Sequence, residues 1–355
     1  MLIGPFTPPY TGQSVAFSYL KKIESNELEF EFHNTKKFRN FFLNYFSSVF
    51  FLPLRILCTN YALIYFIGSR SKFGFLRQVP FLLTSIILRK KIINHLHGSD
   101  FYDFYQKSSF LKPLVKLCYD RVDTSIVLLE AMKKEFVDFP HMKTIVVSNA
   151  YNAEFNQLKV PFPKPCNLLY LSNIMASKGI LVFLEAAFDL LKNNQNLTIK
   201  IAGAFLGDHL KNKSQIKQDF FEQLNHLQNT FPNRIEYLGV VVGDQKVKCL
   251  VESTIFILPT FYPTEAAPIS IIEAMRTGNA IITTKHNYLD MLVSKKNGVL
   301  ISTHSTEEII SATEQLLDDP KLLQEIQRHN VEESKNKYSI KNHLINITNV
   351  IRESI

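Results

Sequence analysis

A chain of 355 residues exceeds what one hydrophobic core normally serves, so two domains are expected. Its apolar fraction of 46% and charged fraction of 20% exclude a disordered, collagenous or repeat-only architecture. Of its 40 basic and 32 acidic side chains, residues 1–160 hold 20 and 12, which leaves 20 of each for 161–355 and places the whole +8 excess in the first half. That half also carries 20 of the 29 phenylalanines. A basic and aromatic surface suits an anionic membrane face or nucleic acid, while a phenylalanine-rich core ringed by solvated lysines is the plain alternative.

The opening Met1-Leu2-Ile3-Gly4-Pro5 has neither the basic region nor the long apolar run of a secretory signal. The most apolar stretch, 41–58, is interrupted by Asn44, Ser47, Ser48, Pro53 and Arg55 and cannot span a bilayer without burying Arg55. It is expected to lie on a membrane or to pack as a core helix. Apolar runs at 61–67, 91–97, 124–129 and 144–147 read as buried strands, with helical pattern at 79–88 and 130–136 between them. Strand and helix alternating in this way predict a parallel sheet. The four cysteines, Cys58, Cys118, Cys166 and Cys249, form no C-x-x-C pair, which excludes a zinc ribbon, a redox dithiol or a disulfide framework and places the chain in a reducing compartment.

Three prolines at 161, 163 and 165 predict an extended interdomain linker, after which the pattern restarts. Strands are expected at 167–172, 197–202, 235–238, 254–258 and 280–283. Helices are expected at 179–193, with Leu181, Leu184, Ala187, Phe188 and Leu191 on one face, and at 216–231. The fold class is therefore α/β, two doubly wound Rossmann-like domains facing a cleft: 1–160, and 161–338, with a C-terminal helix at 339–355 returning to the first. Ile340, Leu344, Ile347 and Ile351 form the stripe of that last helix.

The chemistry concentrates in 258–278, where a strand runs through a proline-bounded loop into a helix. Pro268 suits the first helical position and Gly278 the residue past the end. The backbone N–H groups of Ala266, Ala267 and Ile269 around Pro268 would then make an anion site, most naturally for phosphate. Glu265 precedes the helix and Glu273 follows eight residues on; a carboxylate beside a phosphate is repulsive unless it accepts hydroxyls, and Glu273 can accept two from a vicinal diol such as a ribose. Glu325 and Glu333 share the spacing but have no such loop before them.

Residues 258–284 resemble the Glu-x7-Glu signature of glycosyltransferase family 4, retaining enzymes of the GT-B fold. Three further segments agree in order: Gly4-Pro5 to Thr11-Gly12-Gln13-Ser14 resembles the glycine-containing loop after the first strand, His95-Leu96-His97-Gly98-Ser99 the histidine loop of the acceptor domain, and Leu171-Ser172-Asn173 to Ser177-Lys178-Gly179 the loop that opens the donor domain. The resemblance implies that Glu273 holds the ribose of a nucleotide diphosphate sugar, most naturally a UDP-sugar. It implies that Glu265 with the backbone of Ala266 to Ile269 holds the transferred sugar and diphosphate. Lys178 would neutralise the leaving diphosphate, His97 would sit beside the transferred sugar and acceptor, with His95 competing for that place, and Gly12 would let its loop approach the phosphate. Where many members set an arginine beside the lysine, Ser172 or Asn173 stands here, leaving more of the leaving-group charge to Lys178. No metal or other cofactor is implied, and nucleic acid is excluded for want of a binding motif.

The resulting expectation is a retaining transferase acting on a glycan or lipid-linked acceptor, cytoplasmic and peripheral at the inner face of the membrane through the first domain. A GT-B nucleotide-sugar epimerase or hydrolase, and a weakly active donor-binding subunit of a glycan synthase, are the alternatives. A dinucleotide-dependent oxidoreductase fails for lack of a G-x-G-x-x-G after any expected strand.

Overall fold

Short apolar runs closed by Gly, Ser or Asn form the strands. In the computed structural model, which describes residues 1–8 and 10–355 and only the backbone of Phe41, twelve of them are laid out as two sheets. The chain divides into Met1–Asn149 with Ile340–Ile355, and Ala150–Ser339. The first unit holds β1 (Leu2–Gly4), β2 (Phe32–Asn34), β3 (Leu63–Ile67), β4 (Lys91–His95), β5 (Thr124–Val127) and β6 (Lys143–Val146), all parallel, in the order β2-β1-β3-β4-β5-β6. Its core packs Leu2, Phe17, Tyr65 and Ile93 against Ile347, Val350 and Ile351 of the C-terminal helix Ile340–Ser354. Leu344 is only partly buried, and His343 takes an inward place on that helix.

The second unit holds β7 (Asn167–Leu171), β8 (Thr198–Ala202), β9 (Ile235–Tyr237), β10 (Ile255–Leu258), β11 (Ala280–Thr284) and β12 (Gly298–Ile301), in the order β12-β11-β10-β7-β8-β9 and again all parallel. Counted from β7 this is the 3-2-1-4-5-6 arrangement, whose order reverses between β7 and β10. Ligands of open α/β sheets bind at the carboxyl ends of strands flanking such a reversal.

Several expectations shift. The short strands β2 and β12 are additional, and residues 130–136 wind as a 3-10 rather than an α-helix. The helix Ile180–Asn193 turns Ile180, Phe183, Leu184, Ala187, Leu190 and Leu191 inward, whereas Leu181 and Phe188 stay partly exposed. Phe188 instead stacks on His226, with 5.8 Å between ring centroids.

The proline-rich segment is a packed strap of the second unit and not a free linker, so the division falls before residue 150 and not at 160/161. Lys164 sets the strap in place by donating to the Thr277 carbonyl at 2.7 Å and the Leu250 carbonyl at 3.3 Å. Burial brings its pKa down to about 7.

Residues 41–58 form one continuous helical run, Phe41–Phe46, a π turn Ser47–Phe51 and Leu52–Cys58. Among the described side chains of this run only Ser48, Leu52 and Ile56 are buried, so it is not a core helix. No helix among the described residues is long and apolar enough to cross a membrane.

Candidate functional site

The loop after β7 carries Ser172, Asn173 and Lys178, and the loop after β10 carries Glu265, so both flanks of the strand-order reversal bear residues singled out by sequence. Met175 leads into a single 3-10 turn, Ala176–Lys178, which Gly179 ends in the left-handed conformation at φ +76°. A Cβ at Gly179 would stand 2.1 Å from the Pro259 carbonyl oxygen, so glycine is required by both torsion and contact. The turn is tied to the neighbouring loops: Phe261 N–H donates to the Ser177 carbonyl at 2.8 Å, and the Tyr170 hydroxyl to the Lys178 carbonyl at 3.2 Å. Gly179→Ala is accordingly expected to destabilise the second unit by at least ~2 kcal/mol. That would be read as a fall of roughly 5 °C in Tm; an unchanged Tm would show that the turn relaxes freely.

Lys178 Nζ is paired with the buried carboxylate of Glu265, which also accepts from the Thr260 hydroxyl at 3.2 Å. The same ammonium lies 4.9 Å from the centre of the Tyr262 ring. Glu273, on the helix Ile269–Arg276, is 1% exposed and accepts from Lys246 Nζ at 2.5 Å. Burial raises the Glu273 pKa, and Lys246 pulls against that rise. Each glutamate of the spaced pair therefore has its own lysine. The helix that carries Glu273 starts one residue later than expected, with Pro268 as its N-cap, and no side chain caps it. The N–H groups of Ile271 and Ile272 turn back to the Pro268 carbonyl at 3.2 and 3.4 Å. Ala266, Ala267 and Ile269 are buried beside it.

Ser172 and Asn173 follow β7 and are partly exposed; the Ser172 carbonyl lies where a Cβ on Gly203 would fall. Two participants were not singled out by sequence. Lys246 lies on the helix Gly243–Val251. Asp208 receives the Ser177 N–H and hydroxyl, both at 2.7 Å. Burial opposes ionisation of Asp208, but these bonds and those from the Lys211 and Leu210 N–H groups hold its carboxyl down to about 2.

In the first unit, His95 at the end of β4 is fully buried and shares a hydrogen bond between its Nδ1 and the Tyr65 hydroxyl. His97 is partly exposed, its ring 4.1 Å from that of His95, with Nδ1 covered and unpartnered. Burial, the Arg70 guanidinium and His343 push His97 down to about 3. Arg70, also unforeseen, pairs with Asp100 and fills the space where a Cβ of Gly98 would go, 2.4 Å away. Gly12 opens the helix Gly12–Tyr19 behind a Thr11–Ser14 capping box, and a Cβ there would meet nothing within 4 Å. No group of three or more His, Cys, Asp or Glu among the described residues is arranged to hold a metal ion.

Architecture of this kind recurs in solved structures. Over 99% of this chain and 98% of theirs, it superposes on sucrose-phosphate synthase from Thermosynechococcus elongatus with a TM-score of 0.72 at 14% identity. Against Anabaena HepE in complex with UDP the TM-score is 0.74 at 14% identity, covering 99% of both chains. These likenesses define the fold, a two-unit α/β chain of the GT-B type. Residues 153–335, within the second unit, match the family model described as glycosyl transferases group 1; this is more than half of the chain, and the chain belongs to that family. It is also 23% identical over 273 residues to an uncharacterised glycosyltransferase of Methanocaldococcus jannaschii, a stretch covering 72% of this chain but only 66% of that relative.

Proposed function

We propose that the chain is a retaining glycosyltransferase of family 4, carrying the Glu-x7-Glu signature, that moves a sugar from a nucleotide diphosphate sugar, a UDP-sugar, to a lipid-linked or surface glycan. The observation that carries the reading is the pair of buried carboxylates, Glu265 and Glu273, flanking an uncapped helix start at the strand-order reversal of the second sheet, each held by its own lysine. Bound UDP in the HepE structure supports the choice of base.

Glu273 accepts the two ribose hydroxyls on the carboxylate lone pairs that Lys246 leaves free, so the cation that compensates the buried charge is kept. Glu265 accepts hydroxyls of the transferred sugar, freeing Lys178 to face the diphosphate together with the helix start. The anomeric C–O bond to phosphate breaks with its electron pair on the diphosphate, where Lys178 stabilises the developing charge. The acceptor oxygen bonds to the same carbon from the same face and passes its proton to the departing phosphate oxygen. His97, kept neutral by burial and by Arg70, offers the first unit an uncharged hydrogen-bonding group for a sugar hydroxyl. The basic, aromatic first unit fits an acceptor held at an anionic membrane surface and a peripheral place on the inner face of that membrane.

Saturating UDP is expected to raise Tm, since ligand at a hundredfold over Kd contributes ~2.7 kcal/mol. Lys178→Gln is expected to lower kcat by roughly a hundredfold or more while UDP still binds. A nucleoside diphosphate panel with no Tm response overturns the reading, and rapid UDP-sugar breakdown without acceptor moves it to a hydrolase.

A further inference from the structure

The helical run 41–58 presents Phe42, Leu43, Phe46, Phe50, Leu54 and Leu57 to solvent, each more than half exposed. Residues four apart drift around an α-helix by about 40° per step, and the π turn Ser47–Phe51, with its wider winding, holds Phe42, Phe46, Phe50 and Leu54 closer to one line. The Phe46 and Phe50 rings stack at 5.3 Å. Exposed apolar patches of this extent mark interaction surfaces.

Beside the stripe lies a groove of about 680 Å³ whose walls include Phe32, Phe38, Phe46 and Phe51 and whose cations include Lys21 and Lys37. Lys21 Nζ sits 3.9 Å from the centre of the Phe6 ring, and neither lysine has an acidic partner among the described residues. His33 Nε2 is buried in the same wall without a partner. The groove's third cation, Arg55, is committed to Glu31. From residue 32 to residue 99 the sequence has ten Lys or Arg and no Asp or Glu.

Charge decides among occupants. A second copy would set one predominantly basic face against another, with Glu31 its one acid at the groove and already taken by Arg55. Nucleic acid has no use for the aliphatic Leu43, Leu54 and Leu57. A bilayer with phosphate headgroups satisfies both features, because apolar side chains enter the acyl boundary while lysines meet anionic heads.

We propose that this face docks on an anionic bilayer and that the groove takes one of its phosphate lipids, head toward Lys21 and Lys37 and chain along Phe38, Phe46 and Phe51. This deepens the acceptor half of the reading above and rests on the surface of the first unit, so it stands or falls separately from UDP binding.

Full-length protein is expected to co-sediment at low salt with phosphatidylcholine vesicles containing phosphatidylglycerol, roughly tenfold above pure phosphatidylcholine, and to lose that preference as salt rises. Phe50→Ser/Leu54→Ser/Leu57→Ser, all outside the groove, should abolish vesicle binding yet keep saturable calorimetric binding of monomeric dihexanoyl phosphatidic acid. Lys21→Glu/Lys37→Glu should lose both. Far-ultraviolet circular dichroism and amide exchange in β3 and β4 should match wild type in both variants, which certifies folding of the first unit, and unchanged UDP thermal shifts on the same samples separate this proposal from the donor reading. Wild type that ignores anionic vesicles overturns it, as does vesicle binding indifferent to both variants. A concentration-dependent dimer abolished by the stripe substitutions would overturn it in favour of a second copy.

Discussion

Glu273→Ala is expected to weaken UDP binding by at least a hundredfold in calorimetry. Glu273 is 1% exposed and its carboxylate already accepts a charged hydrogen bond from Lys246 at 2.5 Å, so it offers a ribose two strong acceptors without any rearrangement of the backbone. Hydrogen bonds to a charged group contribute ~1.5–3 kcal/mol each, and two of them correspond to roughly 10² to 10⁴ in Kd. Glu273→Gln keeps the shape and one acceptor and should fall between wild type and alanine. In Lys246→Met the carboxylate is left buried and uncompensated, a loss of about 3–5 kcal/mol in stability, with protonation of Glu273 at higher pH than in wild type. A folded Glu273→Ala protein that binds UDP with unchanged affinity sinks the donor assignment.

Acid is expected to unfold the first unit before it harms the second. His95, His97 and His343 all have pKa values depressed by burial, His97 to about 3. A histidine kept neutral in the fold takes up its proton in the unfolded chain first. Its contribution to stability is therefore complete above the ordinary value near 6.5 and is lost as pH falls through the window from there toward the folded value. At about pH 5 the loss is ~2 kcal/mol from His97 alone. His95 and His343 add in the same direction, as does His33, which burial and nearby Lys37 and Arg77 bring to about 4. Asp100, raised by burial against the pull of Arg70, acts the other way. Urea midpoints between neutral pH and about pH 5, with amide exchange in β4 and the C-terminal helix as the local readout, test this. A midpoint flat across that window would show that the cluster relaxes enough to accept protons.

Much of the fold was legible because it is local. The strands β3, β7, β8, β10 and β11 are apolar runs closed by small or polar residues, and both termini of the helix at 269 were marked by Pro268 and Gly278. What escaped was short or half-solvated: β2 has only three residues, none of them buried, so no periodicity distinguishes it from loop. The inward face of Ile180–Asn193 was misjudged by about one position, since an almost wholly apolar helix has no polar side to orient it. Arg70 and Asp208 belong to loops, where side-chain direction follows from contacts far along the chain.

The sequence alone determined the one-sided charge of the first half, the parallel α/β alternation and the candidate carboxylates at 265 and 273, because composition, periodicity and loop chemistry are properties of neighbouring residues. Only the tertiary structure decided which cations meet those carboxylates. Lys246 and Lys248 sit two apart on one helix, yet the first reaches Glu273 and the second stays 74% exposed. Lys178 and Glu265 are 87 residues apart and come together only because strand order sets β7 beside β10. Pairing of that kind depends on which strands become neighbours, and no local pattern in the chain encodes it.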